Sequence, residues 1–308
     1  MKVLLAGGAG FLGSHLAEAL IQKGYELDIL DNLASGKERN IQSIRDRVGL
    51  LKYDVTSYKT STKYDLVMNF ASRASRMEWE NHPVDVALSN ALGSKNLIEI
   101  AMASGAKYIY ASSSEVYGNP SVIPTPEDYV GCVSTTGTRS PYDEGKRFGD
   151  ALTKAYERQY GLKNIIIRFF NTYGPRMRGD DQYGRVVDRF VKQALANKQL
   201  TVYGNGEQTR SFTYVSDTVN GIITAIEKGE DGEVYNIGND EETTIMDLAN
   251  TVREITHSIS EIVFFPLPED DPRRRAADIS KMRRLGWFPE IPLKDGIYNM
   301  IKSINFDS

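Results

Sequence analysis

Tyr142 and Lys146 lie four residues apart in Arg139-Ser-Pro-Tyr-Asp-Glu-Gly-Lys-Arg147. On a helix that spacing puts both side chains on one face. A phenol titrates near ~10 and is a poor base at neutral pH; each unit of depression takes about 1.4 kcal/mol of charge stabilisation. A fixed ammonium beside it supplies part of that, and a bound nicotinamide cation would supply more. The surrounding residues support the helix. Ser140 is expected to cap it, Pro141 suits its first turn, and Phe148, Ala151, Leu152 and Ala155 continue at helical spacing. Chance alone places this pair on many helices, so the elements that would position it decide its meaning.

The first such element is Lys2 to Ala6, a short apolar strand followed by Gly7-Gly-Ala-Gly10-Phe11-Leu12-Gly13 and a helical pattern (Leu12, Leu16, Ala19, Leu20) that ends near Gly24. Glycines at this spacing allow a tight turn and let a pyrophosphate approach backbone at a helix N-terminus. A second strand, Glu26 to Leu30, ends on Asp31-Asn32, with Ser35 and Gly36 in the same loop. An acid there accepts hydrogen bonds from the adenosine ribose and repels a 2′-phosphate, favouring NAD over NADP. Lys37 and Arg39 are read as solvated loop charges. Leu50 to Tyr53 forms a third strand, with Asp54-Val55 placed to meet an adenine edge.

Asp65 to Phe70 is a fourth strand, running into Ala71-Ser72-Arg73-Ala-Ser-Arg76. A helix from about Val84 to Ala103 carries Asn90, either a buried hydrogen-bonder or an exposed residue. Strand five, Lys107 to Ala111, leads into Ser112-Ser-Ser-Glu115. Strands alternating with helices define an α/β doubly wound parallel sheet of the Rossmann type, whose ligands gather at the C-terminal strand ends. Phe70, Ala71, Ser72, Asn90 and Ser112 therefore join Tyr142 and Lys146 as cofactor-binding candidates. After the strand Asn164 to Phe170 the alternation breaks down. Residues 1–172 are expected to form an NAD-binding domain, to which segments near 212–237 return. Residues 173–308 are expected to form mainly a smaller α/β substrate domain.

Composition narrows the classes. The 308 residues carry a net charge of −4, so no polyanion-binding footprint exists and nucleic acid is excluded as a partner. One cysteine, Cys132, rules out a disulfide framework, and three histidines give no clustered metal-ligand set; no metal is expected. No apolar run approaches the roughly 20 residues that span a bilayer, so no membrane partner is expected. A reducing cytoplasm suits these features.

The strings Ser113-Ser-Glu-Val-Tyr-Gly118, Ser140-Pro-Tyr-Asp-Glu-Gly-Lys-Arg147, Phe170-Asn-Thr-Tyr-Gly-Pro-Arg-Met177, Gly184-Arg-Val-Val187, Tyr203-Gly-Asn-Gly-Glu-Gln-Thr-Arg-Ser-Phe212 and Asp271-Pro-Arg-Arg-Arg275 resemble the extended short-chain dehydrogenase/reductase family of nucleotide-sugar epimerases, dehydratases and decarboxylases. The resemblance covers essentially the whole chain and is strongest to the UDP-glucuronate decarboxylase subfamily. It implies an NAD-dependent conversion of UDP-glucuronate to UDP-xylose through a 4-keto intermediate. By the same resemblance Tyr142 takes the sugar 4-hydroxyl proton, Lys146 binds the nicotinamide ribose, Ser113 holds the 4-oxygen, and Glu115 acts near C5 and the departing carboxylate. Ser114, Asn171, Arg185, Val186, Tyr203 and Gln208 would contact the UDP-sugar, with Arg210 and Arg273 suited to its diphosphate. A homodimer through the helices near 84–103 and 142–160 is also implied.

Arg73 and Arg76 depart from the pattern, standing where such decarboxylases usually carry prolines. They would meet the nucleotide, meet the uronate carboxylate, or face water. A UDP-hexose 4-epimerase shares Tyr142, Lys146, Ser113 and NAD and is the alternative. A catalytically silent dinucleotide-binding regulator is the remote one, disfavoured because all three catalytic residues are present.

Overall fold

The computed structural model describes residues 1–178, 185–266 and 274–306. The first half is built of βα repeats. In order they are β1 (Lys2–Ala6), α1 (Phe11–Gln22), β2 (Glu26–Leu30), β3 (Val48–Leu51), β4 (Leu66–Asn69), α2 (Arg76–Asn81), α3 (Pro83–Ser104), β5 (Lys107–Ser113), α4 (Ser140–Tyr160) and β6 (Asn164–Phe169). The strands are short apolar runs buried on both faces, as a parallel sheet with helices on either side demands. The remainder holds β7 (Thr172–Tyr173), α5 (Val186–Leu195), β8 (Leu200–Tyr203), β9 (Thr209–Arg210), β10 (Thr213–Tyr214), α6 (Val215–Lys228), β11 (Val234–Ile237), β12 (Thr243–Thr244), α7 (Ile245–Thr256), β13 (Ile262–Phe265), α8 (Ser280–Arg284) and α9 (Leu293–Phe306).

Seven strands form one parallel sheet in the order β11-β6-β5-β4-β1-β2-β3. The order reverses at β1, whose neighbours are β2 and β4, so a crevice opens beyond the end of β1. Among the described residues, three further two-stranded pairs are β7–β10, β9–β12 and β8–β13.

The chain divides into two compact units. The first takes Met1–Val116, Val133–Arg168 and Ile222–Tyr235; the second takes the described parts of Tyr117–Cys132, Phe169–Gly221 and Asn236–Ser308. The first unit's core packs Leu4, Val67, Leu97, Ile98, Tyr108 and Ile166 between sheet and helices. The second's gathers Phe190, Val191, Leu200, Leu248, Val252 and Ile297 from three helices and a strand.

Several local expectations shift. Strand β3 spans Val48–Leu51 rather than Leu50 to Tyr53, because Leu27 pairs with Val48 and Leu30 with Leu51, which leaves Tyr53 exposed beyond the sheet. In the second unit β9 pairs antiparallel with β12 and β10 pairs parallel with β7, with Ser211 and Phe212 buried between β9 and β10. Ser140 does not cap α4. Arg139 is the N-cap residue, without a side-chain cap, and Ser140 is already helical. The carbonyl of Arg139 accepts the N–H groups of Tyr142 and Asp143, each at 3.0 Å.

Candidate functional site

The glycine turn is shaped by contacts that admit no side chain. Gly7 has φ +79°, and a Cβ there would lie 2.4 Å from the carbonyl oxygen of Phe70. A Cβ on Gly13 would lie 2.1 Å from the carbonyl oxygen of Gly7. Gly10 is the N-cap of α1, and no side chain caps that helix. Its leading N–H groups are thus presented at the crevice, where a pyrophosphate suits them. Asp31 at the end of β2 is fixed by N–H donors from Ala9 at 3.0 Å and Leu33 at 2.9 Å. Burial pushes its carboxyl above the usual range, and those two donors oppose the rise.

A cleft here is lined by Gly7, Gly10, Asp31, Asn32, Ser35, Gly36, Asp54, Val55, Phe70, Ala71 and Ser72. Asn32 donates to Asp54 at 2.8 Å, and Thr56 holds the other Asp54 oxygen through its N–H and hydroxyl. Leu30, Ala34, Tyr53, Thr56, Asp85, Leu88 and Ser89 also line the cleft without a sequence motif that marks them, and Arg73, for which a nucleotide contact is one of the expected alternatives, lines it too. Phe11, Leu12 and Gly13 belong to α1 behind the turn, with Gly13 buried. Lys37 and Arg39 are exposed. A glycine cradle, an uncapped helix start and a fixed carboxylate fit a dinucleotide.

Asn90 is the buried hydrogen-bonder of the two expected alternatives. It donates to the carbonyl of Val86 at 2.9 Å and accepts from Ser72 Oγ at 3.1 Å. Gly145 of α4 closes over it; a Cβ there would meet Asn90 Cβ at 3.0 Å. The cofactor cleft and the α4 helix thus share this contact.

Tyr142, Lys146, Ser112, Ser113 and Ser114 are all buried, and Glu115 is half-buried. Lys146 donates to the carbonyl of Ala111 at 2.7 Å, with its ammonium 5.1 Å from the Tyr110 ring centre and 5.8 Å from that of Tyr142. Burial drives its pKa down to about 7, against the pull of Asp150. Burial likewise pushes the Tyr142 phenol up; the Ser113 hydroxyl lowers it, Glu115 and Asp143 raise it, and Arg139 lowers it. Ser113 Oγ also accepts the N–H of Glu115 at 3.2 Å.

Two residues outside the expected set complete this cluster. Arg139 forms an ion pair with Glu115 and reaches Asp143 at 3.4 Å. Trp79, on α2, stacks on Tyr142 with ring centres 4.9 Å apart and planes 21° from parallel. Arg139 sits in the quoted Tyr-x-x-x-Lys string, where its side chain had been given no role. Trp79 lies on a helix too short to show periodicity. The arginines that departed from the family pattern are engaged: Arg73 pairs with buried Glu78 at 2.8 Å and lies 3.6 Å from Asp85, while Arg76 pairs with Glu80 at 2.7 Å.

In the second unit Gln208 donates to the carbonyl of Tyr203, and the Tyr203 ring lies 5.8 Å from Phe265 and 5.2 Å from the Arg189 guanidinium. Arg210 is buried, one residue from Ser211, whose carbonyl accepts from Asn171 at 3.1 Å. Arg185 has φ +56° and donates to the carbonyl of Arg178; Val186 begins α5. Arg273 lies outside the described residues. Of its neighbours, Arg274 pairs with Glu242, whereas Arg275 is buried and its carbonyl accepts the Ser211 N–H at 3.1 Å. Arg275 was not singled out from the sequence, although it ends the quoted Asp-Pro-Arg-Arg-Arg string.

A switch-point crevice, a glycine turn and a Tyr-Lys-Ser set define a nucleotide-cofactor enzyme. The chain belongs to the NAD dependent epimerase/dehydratase family, whose model matches residues 3–238, and NAD is its cofactor. It is 40% identical over 304 residues to UDP-glucuronic acid decarboxylase 1 of Danio rerio, covering 98% of this chain and 72% of that one. Among solved structures, a UDP-glucose 4-epimerase of Thermotoga maritima with UDP-glucose matches at TM-score 0.91 and 32% identity, over 100% of this chain and 99% of that one. A UDP-glucuronic acid 4-epimerase of Bacillus cereus, in complex with UDP-glucuronic acid and NAD, matches at TM-score 0.89 and 30% identity over 100% of both chains.

Proposed function

We propose that the protein decarboxylates UDP-glucuronate to UDP-xylose through a 4-keto intermediate. The observation that carries this reading is a carboxylate, Glu115, beside the Tyr142 phenol and in the single 3-10 turn Ser114–Tyr117 that follows Ser113 at the end of β5, in a chain related nearly end to end to a decarboxylase. Tyr142 takes the proton of the sugar 4-hydroxyl, and Ser113 hydrogen-bonds the 4-oxygen as it becomes a carbonyl. Lys146 binds the nicotinamide ribose. Bound NAD supplies the hydride acceptor, and later the donor, at C4. The C4 ketone is β to the C6 carboxylate, so the C5–C6 bonding pair passes toward the C4 oxygen as CO2 departs. C5 then takes a proton, which Glu115 and Ser114 place. Tyr142 finally returns its proton to the 4-oxygen.

The first unit is the NAD domain in this reading. In the second, Arg210 and Arg275 hold the diphosphate, and Asn171, Arg185, Val186, Tyr203 and Gln208 surround the nucleotide sugar. Leu88 and Leu92 on α3 and Phe148 on α4 are 44%, 49% and 49% exposed. These large apolar side chains support a homodimer through α3 and α4. No described helix is long and apolar enough to cross a membrane, and the exposed Cys132 thiol suits a reducing cytoplasm.

A 4-epimerase is the second reading, favoured by the two solved structures. It begins with the same oxidation but keeps every carbon. Incubation with UDP-glucuronate, UDP-glucose and UDP-galactose separately, followed by proton NMR, tests the choice. UDP-xylose from UDP-glucuronate is expected, with the two hexoses unchanged. Interconversion of the hexoses, or a UDP-glucuronate that inverts at C4 with all carbons retained, would reject decarboxylation.

A further inference from the structure

Trp79, Arg139 and the Glu115–Tyr142 pair form one connected assembly, and the reaction above gives the first two no part. Trp79 is fixed by its indole N–H, which donates to the carbonyl of Arg73 at 3.1 Å. One of its faces meets the Tyr142 ring, and the Arg139 guanidinium carbon lies 5.2 Å from the centre of the same indole. Arg139 then reaches Glu115 and Asp143 through its nitrogens. Its backbone starts α4, and its carbonyl accepts the Tyr142 N–H. One residue therefore touches the helix that carries the phenol, the carboxylate beside it and the ring that covers it.

We propose that Arg139 is a positioning residue: its planar fork, seated on Trp79, holds the Glu115 carboxylate in one orientation and offsets its charge beside Tyr142. The proposal rests on the reading that Glu115 and Tyr142 act on one sugar. A half-buried carboxylate on a single 3-10 turn still samples several side-chain rotamers unless a partner selects one, and a guanidinium selects by geometry as well as charge. Five ionisable groups face the phenol: Glu115 and Asp143 are acidic, Arg139 and Lys146 are basic, and Tyr110 is a second buried phenol. With Arg139 gone, two carboxylates would oppose the phenolate, and the Ser113 hydroxyl and buried Lys146 would remain to favour it.

The test compares Arg139→Met and Arg139→Lys with wild type, as NAD-loaded enzyme, in kcat, KM and the pH dependence of kcat. Arg139→Met should lower kcat about 10–100-fold while KM stays within about threefold, as expected when a transition-state arrangement rather than binding is lost. The acid-side fall in kcat should move to higher pH, because an unopposed Glu115 raises the pKa of the base. Arg139→Lys keeps the charge and loses the fork, so the acid limb should return toward wild type while kcat stays several-fold low. Adding Glu115→Gln to Arg139→Met should cost no more than the worse single change if Arg139 acts through Glu115. An unmoved limb with kcat within about threefold of wild type would overturn the proposal, as would a rise in KM alone. Should Arg139→Met not fold, Arg139→Lys decides: wild-type kcat in it would overturn the positioning role. The wild-type products from UDP-glucuronate test the underlying reading by themselves. The Arg139 proposal is scored only as variant against wild type, on whichever UDP-sugar is turned over.

Discussion

Two regions of the first unit solve opposite physical problems. The β1–α1 turn recognises through backbone: two glycines admit no Cβ, the helix start carries no side-chain cap, and Asp31 is oriented by two N–H donors. The β5–α4 region instead concentrates ionisable side chains at low exposure. Lys146, Asp150 and Asp143 are buried and Arg139 and Glu115 half-buried, with Asp150 paired to Arg168 at 2.9 Å. The first region costs conformational freedom, and the second costs hydration. Damage to the turn should therefore appear as lost stability and cofactor affinity, whereas damage to the charged cluster should appear as lost turnover.

The sharpest separation is expected from Tyr142→Phe. It removes one hydroxyl from the charged cluster and leaves the glycine turn untouched. Turnover should fall by about 10²–10⁴-fold, while NAD affinity by calorimetry matches wild type. Near-wild-type turnover would remove Tyr142 from the chemistry and leave the cluster without its proton acceptor.

Gly13→Ala tests the other side. Its Cβ would sit 2.1 Å from a backbone oxygen, so the turn or the helix must shift. A loss of about 1–3 kcal/mol in denaturant unfolding is expected, the range for overpacking a well-fitted site, together with weaker NAD binding. Unchanged stability and affinity would mean that the turn yields freely, and the contrast drawn above would fail.

How far each region was legible follows from the same contrast. The glycine turn, Asp31 and the Tyr-x-x-x-Lys pair are read from short spacings, because neighbours in sequence are neighbours in space there. Trp79 on Tyr142 joins positions far apart in the chain, and no local pattern marks it. Arg139 was visible as a residue, but its ion pair with Glu115 arises only when the end of β5 meets the start of α4. The second unit was harder still. Its β-structure consists of strand pairs such as β8–β13, which joins Leu200 to Ile262, and β9–β12, which joins Arg210 to Thr243. Two-residue strands carry no alternation to detect. Its helices α5, α7 and α9, by contrast, carry amphipathic spacing, which is a local property and can be read from the sequence.

The smallest predicted effect concerns what the buried ammonium costs. Lys146 has a folded pKa of about 7 against an ordinary value of 10.5, with burial as the cause. Between those values the unfolded chain binds a proton that the folded chain does not, so unfolding free energy rises with pH across that window. Below about pH 7 both states are protonated and the full penalty is present; above the ordinary value it vanishes. Lys146→Met removes the charge while keeping the apolar stem. It also loses the hydrogen bond to Ala111 and the ammonium contact with Tyr110, which offsets part of the gain. Asp150 keeps Arg168 as its partner. In protein stripped of NAD, the variant should therefore be inactive yet more stable at pH 6.5, by roughly 1–2 kcal/mol. That advantage should shrink steadily as the pH is raised toward 10. Denaturant midpoints at several pH values measure it directly. A difference that grows with pH would have the opposite sign, and would mean that the ammonium stabilises the fold and that the charged cluster carries no hydration cost at Lys146.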